Sequence, residues 1–157
     1  SKNFLMTGWR VGVAIAEPEI LEVMSNINNS LIYTAPSISQ RAAIQALAIR
    51  QAIREKYVLA YRDRIFYAAD RMEQIPYLSL VRPKGTFYLF PCVKPSGLTS
   101  AQATELLAKA GVLVVPGPAY GGEAGEGYLR ISCTVPMEQL KEAFDRIEAI
   151  PEFGKAR

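Results

Sequence analysis

Histidine is absent from this 157-residue chain. That absence removes the commonest general base and a leading metal ligand, which argues against zinc hydrolases and against Ser-His or Cys-His nucleophilic enzymes. Cysteine is scarce: Cys92 and Cys133 stand alone in apolar, strand-like runs, so core filling suits them better than a disulfide framework or a redox pair. No run of like charge occurs, and 18 basic against 15 acidic residues leave a net charge of only +3. Such a balance gives no footprint for nucleic acid or a membrane surface. No segment reaches the roughly 18 apolar residues of a membrane span, and residues 1–12 lack the apolar core of a secretion signal. A soluble protein of the reducing cytoplasm is the expectation. What is present is ordinary for a globular chain, with 50% hydrophobic and 21% charged residues. The length suits one domain, or a small domain plus part of another.

Val11 to Ala16 is a short apolar run, expected as a strand buried on both faces. Pro18 suits a first helical turn, and Ile20, Val23, Met24, Ile27 and Leu31 recur at helical spacing, so residues 18–30 read as an amphipathic helix. Ser37 with Gln40 reads as a capping box ahead of an Ala-rich helix from Ile38 to Ile53. The helical signal continues to Gln74 with no breaker before Pro76, on a stripe of Val58, Tyr61, Ile65, Ala69 and Met72. A helix of that length predicts a boundary near residues 54–60, giving domains at 1–55 and 56–157. Beyond Pro76 the pattern predicts strands at 78–81 and 86–93, a helix at 100–110 ended by Gly111, strands at 112–115 and 128–133, and a last helix at 137–150. Helices layered on one side of a mixed or antiparallel sheet make this half an α+β domain.

Five fragments, in order, carry a family resemblance: Ser1-Lys2; Thr7-Gly8-Trp9-Arg10-Val11-Gly12; Pro83-Lys84-Gly85-Thr86-Phe87-Tyr88-Leu89-Phe90-Pro91; Val114-Val115-Pro116-Gly117; and Gly127-Tyr128-Leu129-Arg130-Ile131-Ser132. Each is weak alone, but the ordered set resembles the class I/II aminotransferases, pyridoxal-phosphate enzymes of fold type I. The fold class this implies is α/β: the end of a large cofactor-binding domain, starting at the cofactor lysine, followed by the small α+β domain.

The resemblance assigns roles residue by residue. Lys2 matches the lysine that condenses with pyridoxal 5′-phosphate and then shuttles the substrate's Cα proton; a primary amine is required, activated by desolvation or neighbouring positive charge. Arg10 is similar to the arginine that holds the cofactor phosphate with its planar, permanently charged fork. Arg130 matches the arginine that grips the substrate α-carboxylate and so orients the bond to be broken. Taken without the resemblance, Lys2 is a frayed end, Arg130 an edge-strand arginine and Arg10 a strand-end arginine, each in a surface ion pair worth about 0–1 kcal/mol. The glycine-rich residues 116–127 suit either a loop that covers substrate or a plain surface connection. Tyr57, Tyr61 and Tyr67 read as core or interface, Trp9 and Tyr128 as packing residues, and no metal site is expected.

The implied reaction moves the amino group of an L-amino acid to a 2-oxo acid, in a homodimer. The alternatives are a pyridoxal-phosphate-dependent lyase and the aminotransferase-like sensor domain of a transcription regulator. The family's ring-nitrogen aspartate and most of its phosphate cup have no counterpart in these residues. The 157 residues alone are therefore expected to hold the cofactor poorly and to self-associate through exposed apolar area.

Overall fold

Proline at residue 18 has no N–H to lose in a first helical turn, and in the computed structural model, which describes residues 1–154, it starts α1, Pro18–Leu31. Before it lie two 3-10 turns, Lys2–Phe4 and Thr7–Trp9, each closed by a residue in the left-handed region, Leu5 at φ 55° and Arg10 at φ 50°. After it come α2, Ser37–Ala48, and α3, Arg50–Ile53, then a π-helical turn, Arg54–Val58. These elements form the first of two units, Ser1–Val58.

Three expectations fail in this unit. Residues 11–17 form no strand: Val13 and Ile15 are 80% and 93% exposed, and a strand exists only where neighbours take up its N–H and C=O groups. Ser37 caps nothing, because α2 begins at Ser37 itself with Pro36 as N-cap, and Gln40 donates its amide N–H to the Ala35 carbonyl instead. The long helix is not continuous, since it breaks at Ile49 and widens to a π-turn at 54–58. The apolar stripe of α1 is real as a pattern, yet Ile20, Val23, Met24, Ile27 and Leu31 all remain exposed.

The second unit, Leu59–Arg157, is described through Gly154. It opens with α4, Leu59–Glu73, whose Ile65, Ala68, Ala69 and Met72 fall on one face and are buried, whereas Val58 before it is exposed. There follow β1, Tyr88–Leu89; α5, Ser100–Lys109; β2, Val115–Pro116; α6, Pro118–Gly121; a 3-10 turn, Gly122–Gly125; β3, Leu129–Ser132; α7, Met137–Glu148; and α8, Pro151–Gly154. The sheet is antiparallel in the order β1-β3-β2, with Tyr88 opposite Ser132 and Val115 opposite Arg130. The expected strands shrink: 78–81 survives only as a bridge from Ser79 to Cys92, 86–93 narrows to Tyr88–Leu89, and 112–115 moves to Val115–Pro116.

One core fills this unit. Met72 of α4, Leu89 of β1, Leu107 of α5, Leu129 of β3, Leu140, Phe144 and Ile147 of α7 and Phe153 of α8 are all essentially inaccessible. Arg71 joins α4 to α7 with Nε on Glu148 at 2.6 Å and a second nitrogen on Asp145 at 2.8 Å. Glu148 above all raises the Arg71 pKa further above its already high value. Cys133 is wholly buried and Cys92 half-buried, both with free thiols, which suits core filling. Among the described residues no helix is long and apolar enough to cross a membrane.

Candidate functional site

Each unit carries part of the expected site: Lys2 and Arg10 lie in the first, Arg130 in the second. Lys2 starts the opening 3-10 turn, is exposed, and its amine makes no hydrogen bond or ion pair among the described residues. Arg10 closes the next turn with positive φ, which is uncommon for a residue with a side chain. Its guanidinium donates one N–H back to the Thr7 carbonyl at 3.1 Å. It borders an open depression of about 580 Å³ whose other walls include Trp9, Pro36 and Ser39. Ser39 is buried and donates its hydroxyl to the Trp9 carbonyl at 2.7 Å, which braces the turn holding Arg10 against α2. Lys2 does not line that depression.

Arg130 sits mid-strand on β3, where burial alternates: Leu129 and Ile131 face the core, and Arg130 and Ser132 the other side. Two rings enclose its guanidinium, Tyr88 with its centroid 4.6 Å from Cζ and Tyr120 at 4.3 Å. Tyr88 reaches it because Tyr88 pairs with Ser132, placing Arg130 diagonally across on the same face of the sheet. The Arg130 Nε is buried and has no hydrogen-bond partner. No carboxylate meets this guanidinium among the described residues, although Arg71 and Arg82 each take two and Arg146 takes one. A charged fork beside two rings, with an unsatisfied buried donor and no protein counter-ion among the described residues, is suited to a planar anion arriving at its edge.

The chain matches the family model for aminotransferase class I and II over residues 1–147. It belongs to that family. An aspartate aminotransferase of Pyrococcus horikoshii is 38% identical across 99% of the chain and 40% of its own length. Aromatic-amino-acid aminotransferase 2 of Thermococcus litoralis is 40% identical across 96% of the chain and 39% of its own length. The solved aromatic aminotransferase of Pyrococcus horikoshii superposes with a TM-score of 0.81 at 35% identity, over 96% of this chain and 40% of that one. The chain thus spans about two fifths of the length of the curated relatives it matches.

The motif residues alone pointed to Arg130 but not to its two aromatic neighbours. Tyr88 was visible only as part of a strand, and Tyr120 lies ten positions before Arg130 in a turn-rich loop with no local signal. The glycine-rich loop is not featureless either: it folds into α6 and a 3-10 turn, and Gly122 and Gly127 take positive φ there. Tyr57 is exposed at the end of the first unit, while Tyr67 packs edge-on against Phe144. Tyr128 stacks on Phe90 with centroids 5.5 Å apart, a packing role.

Proposed function

We propose that this chain carries part of the active site of a pyridoxal-phosphate-dependent aminotransferase that moves the amino group of an L-amino acid to a 2-oxo acid. The observation that carries the reading is Arg130, a guanidinium held between two rings with no protein counter-ion among the described residues and one buried donor unsatisfied. Family membership and relatives named aspartate and aromatic-amino-acid aminotransferases support it.

The residues present fit the cofactor by their donor chemistry. Lys2 offers an exposed, unengaged primary amine, and Arg10 keeps donors beyond the one spent on Thr7. When bound, pyridoxal phosphate supplies the electron sink that stabilises negative charge at the substrate Cα. Lys2 would hold the cofactor through its Nζ and then, once free, take the proton from Cα as general base. Arg10 would hold the phosphate by charge-assisted hydrogen bonds. Arg130 would bind the α-carboxylate edge-on, which restricts rotation of the amino acid and keeps its Cα–H bond in one orientation. We place the enzyme in the cytoplasm as a homodimer.

Borohydride reduction of the intact enzyme carrying pyridoxal phosphate, followed by peptide mass spectrometry, is expected to leave the cofactor mass on Lys2. Label on any other residue overturns the assignment. With an amino acid and 2-oxoglutarate, the same enzyme is expected to form a 2-oxo acid and glutamate. Release of ammonia or an alkene instead would move it to the lyases.

A further inference from the structure

Tyr120 brings its ring centroid within 4.3 Å of the Arg130 Cζ from a loop, so something must keep that loop in place. Its base is sealed by backbone: the Gly117 N–H donates to the Tyr128 carbonyl at 2.8 Å, and the Tyr128 N–H to the Gly125 carbonyl at 3.2 Å. A Cβ on Gly117 or Gly125 would collide with the other's backbone, so the approach requires glycine at both positions. Within the loop, the Tyr120 N–H donates to the Gly117 carbonyl at 2.9 Å. Beyond the base a carboxylate ties the loop to a different element. Glu126 Oε1 accepts the backbone N–H of Ser100, first residue of α5, at 2.8 Å. Ser100 is 1% exposed, and its hydroxyl accepts the N–H groups of Gly127 at 2.8 Å and Tyr128 at 3.2 Å. The two residues grip the strand-side end of the loop from both directions.

We infer that Glu126 is a positioning residue for Arg130: by anchoring the loop to the first turn of α5, it keeps Tyr120 stacked across the guanidinium. The Tyr88 and Tyr120 ring centroids lie 4.6 Å and 4.3 Å from the Arg130 Cζ, and the buried Nε has no hydrogen-bond partner. The anchor thereby helps hold the planar fork still for a two-pronged, in-plane carboxylate. Without it the loop keeps its glycine base but loses the register of its tip, and Arg130 loses one of its two ring neighbours. The inference rests on reading Arg130 as a carboxylate site, and its test separates the two claims.

In the chain labelled with 15N,13C-arginine, the Arg130 side-chain protons, between two rings, are expected to resonate upfield of the other arginines, with Arg130→Lys providing the assignment. Glu126→Ala is expected to move them toward unstacked positions, Glu126→Gln to retain them because its amide oxygen still accepts from Ser100, and Tyr120→Ala to reproduce the loss. Glu126→Asp, one methylene shorter, gives a partial loss and guards against misfolding of the alanine variant. Leu129 and Ile131 methyl signals report whether the core is intact. Sodium acetate, titrated against the Arg130 Nε–H signal, is expected to bind about two- to fivefold more weakly in Glu126→Ala than in Glu126→Gln, the range of one exposed cation–π contact. Unchanged stacking and acetate affinity in Glu126→Ala overturn the positioning role. Loss of stacking in that variant, with acetate failing to shift Arg130 even in the wild type, supports the positioning role and overturns the carboxylate reading alone.

Discussion

At the scale of single residues, partner chemistry sets Arg130 apart from Arg71, Arg82 and Arg146. Arg71 and Arg82 are each spent on two carboxylates and Arg146 on one, and they join or brace helices. Arg130 is spent on none among the described residues and is flanked by rings instead, a placement that keeps its charge available. Cys133 illustrates the opposite environment: wholly buried, its thiol is pushed up to about 12 by desolvation. A thiol ionises near 8.5 when unfolded. The stability linked to its neutrality is therefore complete below about pH 8.5 and drains away as pH rises toward about 12. Iodoacetamide at pH 8 is expected to leave Cys133 unmodified in the folded chain and to label it once urea is added, read by mass spectrometry. Equal labelling in both states would contradict its burial.

At the scale of elements, helices outlast strands because a helix satisfies its own backbone whereas a strand needs a neighbour. Helix α1 starts at its proline as expected, while residues 11–17, equally apolar, have no ladder to join and form no strand. The true capping box lies elsewhere: the Thr99 hydroxyl accepts from the Gln102 N–H at 3.2 Å and Gln102 accepts from the Thr99 N–H at 3.0 Å, starting α5. Thr99→Ala is expected to cost about 1 kcal/mol in urea unfolding with an unchanged m-value. Because α5 begins at Ser100, the same cap also fixes the N–H that Glu126 accepts. A loss below about 0.3 kcal/mol would show that this cap contributes little to α5, against its usual range of about 0.5–2 kcal/mol.

At the scale of the whole molecule, the two units differ in what they bury. The second encloses a single core drawn from Ile65 to Phe153. In the first, only Met6 and Ala46 are buried apolar residues, and the stripe of α1 is open along its length. Trypsin is expected to cut first after Arg54 or Lys56, since every residue of that π-turn is exposed and its hydrogen-bond pattern departs from the α-helix. The product is a resistant piece beginning within a few residues of Leu59, identifiable by intact mass. First cuts within the helices that build the core would contradict the division into these units.

The ordered motifs by themselves indicated the family and Arg130 as the anion-binding candidate, and periodicity placed helices at 18–30, 100–110 and 137–150, close to the observed Pro18–Leu31, Ser100–Lys109 and Met137–Glu148. Those features are local: helical periodicity, a proline or glycine at an end, and short runs around one functional side chain are written within a few residues of each other. The strand lengths, the absence of the strand expected at 11–16 and the break at Ile49 were not legible, because pairing and helix continuity depend on what lies alongside. Nor did any nearby residue announce that Tyr88 and Tyr120 would enclose Arg130, or that Glu126 would reach Ser100, 26 positions away. Only tertiary structure decided those contacts, since they join residues that the antiparallel register and the glycine-sealed loop bring together in space, and neither register nor loop closure is encoded at a single position.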